Sequence, residues 1–283
     1  MFAAKLLSIR FLRPLMASLL LLTISIAGAN FTHANEMEVD VELVLAVDVS
    51  RSMSPDELEI QRRGYAEALV SKDVIRAIQS GLIGKVAITY VEWAGTFSQR
   101  TIVDWTAISN LEEAQAFANK LTAHFDDGLR RTSISGALDY TSTLFEQNGF
   151  ISNRMIIDVS GDGPNNQGRP VLPARADTLA KGIVINGLPL MTRDGAGGFF
   201  SLDDLDEYYR QCVIGGPGAF VIPVLSWEQF PKAVRQKLVL ELAYREETDK
   251  ENISPEKIND TDYDCLIGEK MWEIFRQQRL FFP

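Results

Sequence analysis

"VELVLAVDVSRSMSPDELEI", residues 41–60, changes character twice. Val41 to Val47 is apolar apart from Glu42 and does not alternate, the pattern of a strand buried on both faces of a parallel sheet. The apolar run stops at Asp48, and Ser50 and Ser52 follow at every second position. Ser54-Pro55-Asp56-Glu57 then reads as an N-cap, a proline at the first helical position and a capping-box glutamate. Leu58, Tyr65 and Leu69 share one face of the helix that follows. Side chains alternate along extended backbone, so Asp48, Ser50 and Ser52 point to one side where the strand leaves the sheet. In open α/β sheets, ligands bind in the crevice outside such strand ends.

The same alternation of strand and helix continues along the chain. "KVAITYVEWAG" (85–95) is a second strand, and "SQRTIVDWT" (98–106) pairs with it as an edge hairpin. Ser109 with Glu112 reads as a capping box for the helix "LEEAQAFANKL". "TSISGALDYTSTLFEQN" (132–148) reads as a helix, and "NRMIIDVSGDG" (153–163) as a strand running into a glycine-rich loop. "PARADTLAKG" is a helix, "IVINGLPL" (183–190) a strand and "TRDGAGG" a turn. "SLDDLDEYYRQC" is a helix with its acids in the first turn, where the macrodipole favours them. "AFVIPVL" (219–225) is the last strand, and Ser226 with Gln229 caps "WEQFPKAVRQKLVLELA". The order predicts an α/β fold: a doubly wound, mostly parallel six-stranded sheet with one antiparallel edge strand and helices on both faces, Rossmann-like in layout. Residues 35–243 form that domain. Beyond it, "REETDKENISPEKINDTD" is polar and aperiodic, a linker, and "CLIGEKMWEIFRQQRLFF" is a short apolar helix that docks back. The C-terminal unit spans 244–283.

The 283 residues, 46% hydrophobic and 23% charged, are those of an ordinary globular protein. A net charge of -10 without a basic stripe argues against nucleic acid as a partner. Residues 1–34 carry Lys5, Arg10 and Arg13, then an apolar stretch from Leu15 to Ala27, then small residues at Ala27-Gly28-Ala29 and Thr32-His33-Ala34. This is the layout of a secretory signal peptide; the apolar stretch is short for an anchor spanning a bilayer. The expectation is an exported protein, periplasmic or secreted, with no membrane span in the mature chain. Export places Cys212 and Cys265 in an oxidising compartment, where they form one disulfide or stay as two separate buried thiols.

Two further polar positions belong with the opening stretch. Thr132 begins a helix in "LRRTSISGAL", and Asp162 follows a buried strand in "MIIDVSGDGPNN". Asp48, Ser50, Ser52, Thr132 and Asp162 offer only oxygen donors, the ligands that hard divalent cations prefer, and Mg²⁺ needs few of them because it keeps several waters. "DVSRS", Thr132 and "GDG" together resemble the von Willebrand factor type A domain with its metal-ion-dependent adhesion site, over residues 41–243. The stretches "SGDGPNN" and "CVIGGPGAF" are most similar to a group of exported bacterial members of that superfamily with no assigned function. The resemblance implies that Ser50, Ser52 and Thr132 give hydroxyls to the cation, Mg²⁺ (or Mn²⁺ or Ca²⁺). It implies that Asp48 and Asp162 act directly or through water, and that an open position takes a carboxylate from a protein partner. Gly161 departs from the pattern, standing where Thr or Ser is common.

Other chemistries find little support. Only His33 and His124 occur, too few for a zinc cluster, and a relay through His124 has no marked partner. "GDGPNNQG" and "GGPG" match neither glycine-rich nucleotide loop. Asp126-Asp127 and Asp203-Asp204 read as solvated acids, and Trp272, Phe275, Phe281 and Phe282 as docking surface. The leading expectation is a binding module and not an enzyme. The alternatives are a metal-dependent phosphoester hydrolase, for which Arg51, Arg130 and Arg131 would have to face the cation, and a metal-free assembly factor.

Overall fold

The computed structural model describes residues 36–123, 129–192, 201–243 and 263–281. Residues 1–35, with the segment read as a signal peptide, His124, Asp126-Asp127, nearly all of the "TRDGAGG" turn and residues 244–262 lie outside them. In chain order the elements are β1 (Met37–Glu38), β2 (Val41–Asp48), α1 (Pro55–Leu69), α2 (Lys72–Gln79), β3 (Val86–Trp93) and β4 (Gln99–Ile108). There follow α3 (Leu111–Leu121), α4 (Ile134–Thr141), β5 (Phe150–Ile151), β6 (Met155–Gly161), α5 (Val171–Ala180) and β7 (Ile183–Pro189). The last are α6 (Leu205–Tyr208), which continues into a π-helical turn at Tyr209–Val213, then α7 (Phe230–Leu242) and α8 (Ile267–Phe281).

The main sheet has the order β4-β3-β2-β6-β7. All its neighbours are parallel except β4, which runs antiparallel to β3 as the hairpin pattern requires. β1 and β5 make a separate two-stranded pair. β2 is central and buried over all eight residues, which is why its sequence does not alternate. Val41, Leu43, Leu45 and Val47 pack on the layer of α1, α2, α3 and α7. Val44 and Ala46 face the opposite layer, with α4, α5 and the segment around Tyr208 and Tyr209. Glu42 is tolerated inside because Asn148 Nδ2 (2.5 Å) and Ser152 Oγ (3.0 Å) donate to its carboxylate.

α1 begins as read: Ser54 Oγ accepts from the Glu57 amide (3.3 Å) and Glu57 Oε2 from the Ser54 amide (2.6 Å). Four expectations need correction. The sheet has five strands, not six: residues 219–225 run beside β7 as isolated bridges at Gly187–Val221 and Leu190–Val224. The Ile222 and Val224 amides reach the Gly187 and Pro189 carbonyls, but Pro189 has no N–H to return to the run, and the ladder breaks there. α3 is capped one residue later, with Asn110 Oδ1 accepting from the Glu113 amide (3.0 Å) and Glu113 bonding back to Ser109. α4 stops at Thr141 instead of running to 148. Hydroxyls of Thr141, Ser142 and Thr143 bond back to the carbonyls of Ala137, Asp139 and Tyr140, competing with the helical ladder. α7 starts at Phe230 with no side-chain cap, so Ser226 and Gln229 do not form the expected one.

Candidate metal centre

Three loops meet at the C-terminal ends of β2, β3 and β6. The first leaves β2, where extended backbone turns at Asp48 and the Ser50 amide donates to Asp48 Oδ1 (2.7 Å). The Ser50 and Ser52 hydroxyls lie 2.9 Å apart. The Ser52 hydroxyl donates to Asp162 Oδ1 (2.9 Å), which closes the first loop onto the third. Asp48, Ser50, Ser52 and Asp162 thus form a continuous run of oxygens. Asp48 and Ser50 are buried, while Ser52 and Asp162 are partly open to solvent and form the mouth.

The second loop is stitched to both others. The Leu129 amide donates to the Val49 carbonyl (2.7 Å), and the Ser133 amide to the Ala94 carbonyl (2.7 Å). The Thr132 amide donates to Asn166 Oδ1 (3.1 Å), and the Asn166 amide returns to the Thr132 carbonyl (2.9 Å). Asn165 Oδ1 accepts from the Ser135 amide (3.0 Å) at the start of α4. These backbone bonds bring all five sequence-predicted oxygen donors to one end of the sheet. They run through Asn165 and Asn166, whose role the sequence did not mark.

The electrostatics show what the site lacks. Asp48 Oδ2 is fully buried and has no hydrogen-bond partner. Burial, and next the charge of Asp162, hold the Asp48 carboxyl well above the usual carboxylate range. Burial pushes Asp162 up to about 6, against the Ser52 hydroxyl, which favours its charged form. Two neighbouring carboxyls that both hold protons more tightly than free ones are a pair short of a positive charge. No group of three or more His, Cys, Asp or Glu side chains gathers among the described residues, so a cation here would rest on two carboxylates completed by hydroxyls and water. That donor set fits a divalent ion of the hard kind.

The departure at Gly161 has a steric reason. A Cβ there would stand 2.9 Å from the Tyr209 hydroxyl and 3.0 Å from Asp48 Oδ2. Tyr209 is buried, its hydroxyl is also without a partner, and burial, then Asp48, raise its pKa. The place that a Thr or Ser side chain would take is occupied by a tyrosine from the π-helical turn. Glu57, read as a cap, also accepts from Trp227 Nε1 (2.8 Å), and its charge adds to the upward shift of Asp162. Of the three arginines, Arg51 and Arg130 are exposed, while the Arg131 guanidinium lies 3.3 Å over the Trp272 ring of α8. Asp204 is likewise engaged, accepting from the Tyr263 hydroxyl (3.0 Å).

Residues 38–246 match the family described as "Protein of unknown function (DUF1194)". The chain belongs to that family. Among curated proteins none matches the sequence. The pilus adhesin SpaC from Lactobacillus rhamnosus GG superposes with a TM-score of 0.52 at 12% identity, over 74% of this chain and 32% of that one. Proximal thread matrix protein 1 from the mussel byssus, in a structure described as having a zinc-occupied MIDAS motif, superposes with a TM-score of 0.51 at 15% identity, over 73% of this chain and 48% of that one. This DUF1194 chain thus spans about a third of the adhesin and about half of the byssus protein. The likeness gives the fold: the five-stranded sheet with helices on both faces is of the von Willebrand factor A type. No described helix is long and apolar enough to cross a membrane. Cys212 and Cys265 form a disulfide with Cα atoms 5.6 Å apart.

Proposed function

We propose that the protein is an exported recognition module. It holds a divalent cation at Asp48, Ser50, Ser52, Thr132 and Asp162 and uses it to grip a carboxylate on a protein partner. One observation carries this reading: the unpartnered Asp48 Oδ2, buried beside a second carboxylate in a run of hydroxyl oxygens. A cation supplies the positive charge that both carboxylates lack. The half-open mouth at Ser52 and Asp162 leaves room for a ligand oxygen from outside. Two proteins with this fold, a pilus adhesin and a byssus protein with zinc at its MIDAS motif, support the class of function. Mg²⁺ suits the all-oxygen donor set, with Mn²⁺ and Ca²⁺ as the other hard candidates. Recognition is favoured over phosphoester hydrolysis because Arg131, one of three arginines that could clamp a phosphate, is stacked on Trp272.

The test is thermal unfolding of residues 35–283 titrated separately with Mg²⁺, Mn²⁺, Ca²⁺ and Zn²⁺. An ion that binds only the folded state must raise the melting temperature. A saturable rise is expected, absent in Asp48→Ala and in Asp162→Ala. No rise in the wild-type protein at millimolar cation overturns the proposal.

A further inference from the structure

The C-terminal helix α8 lies beyond the residues that match the family, yet it touches two of the three site loops. The disulfide fastens Cys265, at the foot of α8, to Cys212 in the π-helical turn. Gly268 then comes against the third loop so closely that a Cβ would stand 2.2 Å from the Asn165 carbonyl oxygen and 3.0 Å from Pro164. This is contact of backbone on backbone, which only glycine allows. One residue on, Glu269 Oε1 accepts from Asn165 Nδ2 (2.7 Å). Asn165 passes the constraint to the second loop through the Ser135 amide, and its neighbour Asn166 does so through Thr132. A turn further along α8, the Trp272 ring lies under the guanidinium of Arg131, the residue before Thr132. Arg131 has a φ of 77°, a left-handed conformation that persists in a non-glycine residue only where its surroundings hold it.

We propose that α8 is a disulfide-latched brace for the candidate metal centre, with Glu269 as the positioning residue that sets Asn165 and, through it, the loops carrying Thr132 and Asp162. The effect on cation affinity rests on the metal reading of the site; the bracing of the loops does not. Two independent routes, Glu269 to Asn165 and Trp272 to Arg131, converge on the same pair of loops. A tail that only filled surface would not need both. The brace fixes the geometry of oxygen donors that come from distant parts of the chain, and geometric fit is what a small octahedral cation demands most.

Hydrogen exchange measured by mass spectrometry on residues 35–283, without and with Mg²⁺, tests this, using Cys212→Ser/Cys265→Ser, Glu269→Ala and Glu269→Gln. Peptides covering 129–136 and 162–168 should exchange about tenfold faster in the double-serine chain and in Glu269→Ala, the loss of roughly one hydrogen bond of protection. The core peptide 41–48 should stay unchanged. Glu269→Gln keeps a carbonyl oxygen for Asn165 Nδ2 and should restore protection. Mg²⁺ affinity by calorimetry should weaken in the same order. If the loops open and no form binds Mg²⁺, wild type included, the brace stands and the metal reading falls. If both loops stay as protected as in wild type, the brace is refuted. Should the double-serine chain not fold, the contrast between Glu269→Ala and Glu269→Gln decides alone.

Discussion

Replacing Lys237 by Met should weaken the domain from the inside. Lys237 lies on α7 with none of its side chain exposed, and its Nζ is 2.8 Å from Asp158 Oδ1 on β6. It is also paired with Glu241, one turn on, whose Oε1 accepts from Asn186 Nδ2 of β7 (2.9 Å). The Phe220 ring faces the ammonium at 5.1 Å, and the Phe220 amide donates to Asn186 Oδ1 (3.1 Å). Two carboxylates therefore share one cation in the core. Burial, then the charge of Glu241, push Asp158 up to about 7, while Lys237 pulls it down. Methionine keeps the stem and removes the charge. Breaking a buried pair by deleting one partner costs about 3–5 kcal/mol. For a domain of this size that lowers Tm by about 6–20 °C, at 2–4 °C for each kcal/mol. The pH dependence has a definite sign. The Asp158 carboxyl is raised in the folded state, so the stability it contributes is full below about 4 and is lost as pH rises towards about 7. Without Lys237 the carboxyl rises further, and the loss extends to higher pH. Urea unfolding at pH 6 and pH 8 should thus show a deficit that grows with pH. Adding Asp158→Asn and Glu241→Gln to the variant should recover part of it. A deficit below about 1 kcal/mol at pH 8, or one that shrinks as pH rises, refutes the account of this network.

Asp48→Asn keeps the oxygen that accepts from the Ser50 amide but removes the buried charge beside Asp162. The cation-free protein should gain about 1–2 kcal/mol and lose its cation response, and a lower Tm without cation would contradict this. Gly161→Ser should cost about 1–3 kcal/mol by forcing atoms onto the Tyr209 hydroxyl and Asp48. Combining it with Tyr209→Phe should return part of the loss in denaturant unfolding, and strict additivity of the two changes would rule the steric explanation out. Trp227→Phe removes the indole donor to Glu57 and should cost about 1 kcal/mol while leaving the cation-induced Tm rise in place. Disappearance of that rise would place Trp227 in the site itself.

What could be read from the sequence was what depends on spacing. The end of β2 and its serines follow from two-residue alternation, and Thr132 and Asp162 from their places at element starts and ends. The error at α3 is a near tie: Ser109 and Asn110 are both good caps, with glutamates three residues after each. The missing sixth strand is an apolar run that does lie beside β7, its ladder broken where Pro189 has no N–H to give. The remaining features depend on tertiary contact. Tyr209 sits in what reads as an ordinary helix, 48 residues from Gly161, and nothing local says that its hydroxyl fills the room beside Asp48. Asn165 and Asn166 stand in a quoted loop, but their work is done against Thr132, Ser135 and Glu269. Arg131 is one of three arginines that the sequence offers as a phosphate clamp only if they face the cation; it packs on Trp272, in a tail that the sequence marks only as docking surface.

The irregular run after the π-helical turn bears on how the protein behaves at high concentration. A strand edge with free amides invites a second molecule to pair with it. On the outer edge of β7 the Ile185 amide is taken by the Gly215 carbonyl, the Gly187 amide by Phe220, and the Pro189 carbonyl by the Val224 amide. The crossing run consumes these groups, and Pro223 keeps it from becoming a new edge itself. The opposite edge, β4, carries Arg100 and Asp104 and pairs with β3 through register shifts near Tyr90. Charges and bulges there discourage flush pairing. The sheet is thereby closed to growth on one side and guarded on the other, so that crowding should not drive copies to stack strand on strand.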